Sequence, residues 1–138
     1  MEVVMCDSLV QIYLHFIWGT WDRLPLITEN NEQQIYKAIL EKCTSLYSSV
    51  IAIGGMPDHL HLLTRFPAII TVADYIKAVK GSTSHLMTQS INAGEFFKWQ
   101  GGYAVYSVSV RDVSKIKKYI QYQKEHHTNN KLYSELEL

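Results

Sequence analysis

The sequence predicts an α+β domain: an antiparallel sheet in split βαβ order, with helices on one face and one further helix at the C-terminal end. Three observations lead there. Segments of strand-like pattern alternate with segments of helical period in the order strand, helix, strand, strand, helix, strand, helix. A Gly54-Gly55 and Pro57-Asp58 turn signal joins the second strand directly to the third. At 138 residues, with 47% hydrophobic and 19% charged content, the chain suits one soluble domain. A domain of this size buries roughly two thirds of its unfolded-chain surface.

Each element has its own warrant. "LVQIYLHFIWGT", Leu9 to Thr20, is rich in β-branched and aromatic residues and reads as a long, largely buried strand. After a Pro25-containing connection, Ile35, Ala38, Ile39, Cys43, Leu46 and Tyr47 mark one helical stripe. "SVIAIGG" is the second strand and "HLHLLTRF" the third; alternation puts Leu60 and Leu62 on one face, and His59, His61 and Leu63 on the other. Thr71 and Asp74 fit a capping box, followed by an inward stripe of Val72, Tyr75, Ile76, Val79, Thr83, Leu86 and Met87. Gly81 weakens that helix by about 1 kcal/mol relative to alanine, which a close packing contact would explain. "NAGEFFKWQGG" is a loop or irregular hairpin, "YAVYSVSV" a fourth strand, and the last helix starts near Ser109 to Asp112 and runs through "VSKIKKYIQYQKEHH". This is the element order of a ferredoxin-like domain, a fold that hosts many functions.

Composition narrows the function classes. No apolar run approaches the roughly 18 residues of a membrane span. "MEVVMCDSLV" has an acid and no basic residue, so it lacks a secretory n-region, and a cytoplasmic location is expected. Cys6 and Cys43 match no metal-ligand spacing and read as reduced thiols, Cys43 in a helix core and Cys6 near a loose end. Thirteen basic and thirteen acidic residues balance, which argues against coating nucleic acid by bulk charge but leaves room for a local basic surface. From Arg111 to Lys124, five basic residues face the single acid Asp112. Such a run is most often a solvated helix face.

The two histidines of the third strand raise the sharper question, because histidine is not a favoured strand residue and burying two demands partners for four ring nitrogens. In the final helix, Tyr119 and Gln123 stand four residues apart and share a face, with Val113, Ile116 and Ile120 on the neighbouring apolar stripe. His126 and His127 extend the polar side toward the helix C-terminus, where the dipole favours a protonated imidazole. Each feature has a bland reading: hydrogen-bonded core histidines, a core-edge tyrosine with a wet hydroxyl, an exposed glutamine. Two histidines and one amide make a weak metal site without further oxygen ligands.

In combination, "MPDHLHLL", "VADYIKAVKGSTSHLM", "WQGGYAVYSVS" and "IKKYIQYQKEHH" resemble the single-tyrosine HUH transposases of small bacterial insertion sequences, including the REP-associated tyrosine transposases. The resemblance spans nearly the whole chain, and the tandem of "PDHLHLL" with "YIQYQ" carries it. It implies that His59 and His61 are metal ligands, Gln123 the third ligand and Tyr119 the nucleophile. It implies a homodimer that cleaves and rejoins single-stranded DNA at hairpin-bearing element ends through a 5′-phosphotyrosine, with Mg2+ or Mn2+. In this family the tyrosine helix of one subunit can face the histidines of the other, and the sequence leaves both arrangements open. Relatives of the domesticated kind often continue beyond the equivalent of "HHTNNKLYSELEL", and no separate DNA-binding domain is found.

On that reading Lys77, Lys80, Lys115, Lys118 and Lys124 are candidate DNA contacts, with Lys117 and His85 beside them. Trp99, Tyr103 and Tyr106 are candidates to stack on unpaired bases, core packing being the competing role. Asp58 reads first as a turn residue and second as a group orienting His59. Three other functions compete: a domesticated nuclease acting on repeated hairpin elements, a non-catalytic single-stranded DNA-binding module, and a regulatory domain whose histidines are simply buried.

Overall fold

The structure, a computed structural model, describes residues 4–5, 8–91 and 95–124. Cys6, His126, His127 and the acidic tail lie outside these residues. A short antiparallel pair, β1 (Val4–Met5) and β2 (Ser8–Leu9), precedes β3 (Ile12–Gly19), α1 (Glu32–Ser45), β4 (Ser49–Met56), β5 (His59–Phe66), α2 (Val72–Leu86), β6 (Ala104–Val108) and α3 (Val113–Gln121). The last four strands form one sheet in the order β4-β5-β3-β6, and every neighbouring pair is antiparallel. That is the ferredoxin-like arrangement expected from the element order.

The period of two along each strand divides the apolar residues between two layers. Leu14, Phe16 and Trp18 of β3 and Leu60 and Leu62 of β5 pack against Ile35, Ile39 and Cys43 of α1 and Tyr75, Ile76 and Val79 of α2. The intervening positions face the other way, where Ala52 and Leu63 meet Ile116 and Ile120 of α3. So α1 and α2 cover one face of the sheet and α3 covers the opposite one. Burial also pushes the Cys43 thiol up to about 11, so it is an inert core thiol.

Several local expectations hold and some are corrected. Thr71 caps α2, its Oγ1 accepting the Asp74 N–H at 3.1 Å. Tyr47 does not belong to the α1 stripe. It lies beyond the C-cap residue Leu46, with φ at 63°, and is 79% exposed, because the chain leaves the helix through a left-handed residue. Gly81 makes no close packing contact, since a Cβ built there meets nothing within 4 Å. Helix α2 runs on into a π-turn at Met87–Ile91.

Candidate active site

Alternation along β5 directs His59 and His61 to the face covered by α3. In the ladder His61 lies between Gly54 of β4 and Ile17 of β3, and His59 between Met56 and Gly19. The two imidazole rings are 5.3 Å apart at 67°. On α3 the buried residues are Ile116, Tyr119 and Ile120, with Gln123 buried just past the turn at Tyr122. This i, i+3, i+4, i+7 set is one stripe aimed at the sheet. The Tyr119 ring meets His61 edge-on, with centroids 6.0 Å apart. His59, His61, Tyr119 and Gln123 are each at most 2% exposed. One chain therefore brings its own tyrosine helix over its own histidines.

The close approach of α3 depends on a glycine. A Cβ on Gly54 would stand 2.3 Å from the Ile120 carbonyl oxygen, a backbone atom that cannot swing aside. Gly54 is the ladder partner of His61, so it sets the separation of helix and sheet where Tyr119 meets the histidine. Gly54 and Gly55 also line, with Ile120 and Gln123, a cleft of about 300 Å³. Gly54→Ala is expected to lift α3, destabilise the fold by about 1–3 kcal/mol and slow any chemistry at Tyr119 by roughly 10²-fold. Denaturant titration beside single-turnover kinetics checks both.

Each histidine is held by its Nδ1. Asp58 Oδ1 accepts from His59 Nδ1 at 2.8 Å. Asp58 is thus more than the turn residue that its position favoured. Burial pushes its carboxyl up, but hydrogen bonds from His59 and Arg23 outweigh that and keep it below the ordinary carboxylate value. His61 Nδ1 lies 2.9 Å from Nε2 of His15, whose ring stacks on it at 5.1 Å and is fully buried. For His61 to present Nε2 to a ligand, its Nδ1 carries the proton and donates to a neutral His15. Sequence reasoning passed over His15. The available signal was a third histidine inside an apolar strand, a buried polar group that needs a partner.

The remaining predicted residues do not converge on this centre: Lys77, Lys80 and His85 belong to α2, on the sheet face opposite α3. Lys77, Lys115, Lys117 and Lys118 are exposed. Lys80 is half-buried and donates to the backbone carbonyls of Gln100 and Gly102, both at 2.7 Å, and burial lowers its pKa. Lys124 pairs with Glu32 of α1, whose carboxylate also accepts from the Tyr36 hydroxyl at 2.8 Å. Trp99 is a core residue that packs edge-on against Trp18 and Phe97. Tyr103 and Tyr106 are each 39% exposed and His85 is exposed.

Among the described residues no group of three His, Cys, Asp or Glu side chains is placed to hold a metal. The residues that could hold a divalent ion here are His59, His61 and, through its carboxamide oxygen, Gln123, all buried. That mixed nitrogen and oxygen set fits Mn2+ and, with water completing the shell, Mg2+.

Comparison with known proteins identifies the class as transposases. The family described as IS200-like transposase matches residues 8–123, and the chain belongs to it. The chain is 25% identical over 120 residues to the ISDra2 transposase TnpA of Deinococcus radiodurans, covering 82% of this chain and 84% of that protein. A crystal structure of a Deinococcus radiodurans protein assigned as a transposase superposes with a TM-score of 0.72 at 23% identity, over 89% of this chain and 98% of that one. A REP-associated tyrosine transposase bound to a REP hairpin gives a TM-score of 0.67 at 16% identity, over 92% and 74%. Those two structures bear on the fold; family membership makes the chain a DNA-cleaving transposase. No helix among the described residues is long and apolar enough to cross a membrane.

Proposed function

We propose that this transposase cuts and rejoins single-stranded DNA at hairpin-bearing ends, acting as a homodimer. In this reading Tyr119 is the nucleophile, and His59, His61 and Gln123 hold Mg2+ or Mn2+. The observation that carries the reading is the 6.0 Å approach of the Tyr119 ring to His61, with His59, His61, Tyr119 and Gln123 all buried. The structure of the REP-associated relative, bound to a REP hairpin, supports hairpin DNA as substrate. In this reading exposed Lys115 and Lys118 on α3 serve the DNA backbone, and exposed Lys77 serves it from α2, while Lys80 and Lys124 are engaged by protein partners.

The chemistry follows from the residues. A phenol of pKa about 10 is a poor nucleophile at neutral pH, so position has to compensate for basicity. Helix α3 fixes the Tyr119 ring against His61, and Gly54 sets its depth. The Tyr119 oxygen attacks phosphorus, its proton passing to solvent; the bond to the 3′ oxygen breaks, and that oxygen takes up a proton to leave a 3′-hydroxyl. The phosphodiester energy is kept in the 5′-phosphotyrosine, so a later 3′-hydroxyl can reverse the step and join strands without a nucleotide cofactor. A bound divalent ion supplies charge stabilisation to a non-bridging phosphate oxygen. Asp58 and His15 keep the two imidazoles in the tautomer that turns Nε2 toward the ligand.

The test is incubation with hairpin-bearing single strands and a fully paired duplex of the same sequence, in Mn2+ or Mg2+, followed by denaturing electrophoresis. A denaturation-resistant protein–DNA band is expected with the hairpin strands and not with the duplex. Equal bands with both would defeat the single-strand assignment, and no band with any hairpin would defeat the nuclease reading.

A further inference from the structure

The connection leaving β3 turns through two consecutive non-glycine residues in the left-handed region, Asp22 at φ 53° and Arg23 at φ 54°. That conformation is disfavoured for any residue with a Cβ, and two in a row persist only where surrounding bonds impose them. Here those bonds are present. Thr20 Oγ1 donates to the Leu24 carbonyl at 2.6 Å, Gln100 Oε1 accepts the Asp22 N–H at 3.2 Å, and the Thr20 N–H donates to the Asp58 carbonyl at 2.9 Å. The turn buries none of its own side chains, so packing does not explain the conformation.

What the turn does accomplish is to bring the Arg23 guanidinium back over His59. Its Nε donates to Asp58 Oδ2 at 3.1 Å, and its Nη2 lies 3.4 Å from His59 Nδ1. That second approach is not a hydrogen bond in the tautomer above: Nδ1 carries the proton given to Asp58 at 2.8 Å and has no lone pair to accept another. Two donors converge on one carboxylate instead, and the Nη edge of Arg23 keeps its hydrogen-bonding capacity. The Arg23 side chain is 50% exposed. A planar fork of N–H donors, fixed at one edge beside His59 and open at the other, matches a singly charged phosphodiester with two non-bridging oxygens.

The geometry points to Arg23 as a DNA-phosphate ligand of the active site, presented by the Asp22-Arg23 turn and steadied by Asp58. This rests on the proposed single-stranded DNA reading. It also gives Asp58 two tasks, orienting His59 through Oδ1 and aiming Arg23 through Oδ2.

The test uses the full chain and a hairpin-bearing single strand, with binding followed by fluorescence anisotropy in EDTA across a salt series. Mn2+ binding is measured separately by electron paramagnetic resonance. Arg23→Gln should bind DNA about 10- to 100-fold more weakly, the loss of one charged hydrogen-bonding group. Its log affinity against log salt should be shallower by about 0.7, one single-strand phosphate contact. Arg23→Gly should behave like Arg23→Gln, because glycine favours the same φ and keeps the turn while removing the side chain. Mn2+ affinity should be unchanged in both. Wild-type DNA affinity and salt slope in both variants would overturn the assignment. So would a loss of Mn2+ affinity with unchanged DNA binding, which would make Arg23 a support for Asp58 and His59 only. If the wild-type chain neither binds the hairpin strand nor forms an adduct, the underlying function reading fails as well. A wild-type chain that does both while the variants match it sinks Arg23 alone.

Discussion

Tyr119→Phe is expected to abolish the covalent protein–DNA adduct, lowering its rate by at least about 10³-fold, while hairpin binding stays near wild type. The substitution removes one oxygen and leaves the ring, and it is the ring that packs edge-on against His61. A thermal melt beside the denaturing gel separates lost chemistry from lost fold. The size of the effect follows from the role: no neighbouring group inherits the attack when a positioned nucleophile is deleted. Tyr122 is the nearest alternative in sequence, but it is 55% exposed at the C-cap of α3, off the buried stripe. Persistence of the adduct in Tyr119→Phe, and its disappearance in Tyr122→Phe, would reassign the nucleophile.

His61→Ala should eliminate metal-dependent cleavage, with a loss on the order of 10²-fold or more that added Mn2+ does not restore. His61 makes contacts on several sides: Gly54 and Ile17 beside it in the sheet, Tyr119 above it, and His15 at its Nδ1. Truncation removes the proposed ligand and also the His61 nitrogen that meets buried His15, so some stability is lost too. The two effects are told apart by a metal titration on folded protein. A structural defect alone lowers the amount of active enzyme without shifting the Mn2+ dependence; a lost ligand shifts or erases the dependence itself. Wild-type rates across the titration would rule out the metal site as drawn.

Both experiments address residues that were legible in the sequence, and the reason is local. A strand repeats every two residues and a helix every 3.6, so His59 with His61, and Tyr119 with Gln123, declare a shared face through spacing alone. The cap at Thr71 and the Pro57-Asp58 turn before β5 are legible for the same reason, being set by residues a few positions apart, whereas Gly54 and Gly55, read as part of that turn, are ladder residues of β4. Tyr47 shows where such spacing misleads. It continues the apolar period of α1, yet the helix has already ended, and periodicity cannot see a backbone that turns left-handed.

The sequence by itself determined the order of elements, the ferredoxin-like sheet, the paired imidazoles and the tyrosine–glutamine face, because each follows from chain geometry over a few residues. Only the tertiary structure decided that α3 covers the face opposite α1 and α2, with Gly54 admitting it. It alone paired His15 with His61 across 46 residues, drew Arg23 to Asp58 across 35, and tied Lys80 and Lys124 to distant partners. Those contacts are set by strand register and by how closely layers approach, quantities fixed by the packing of the whole domain and encoded in no single stretch of it.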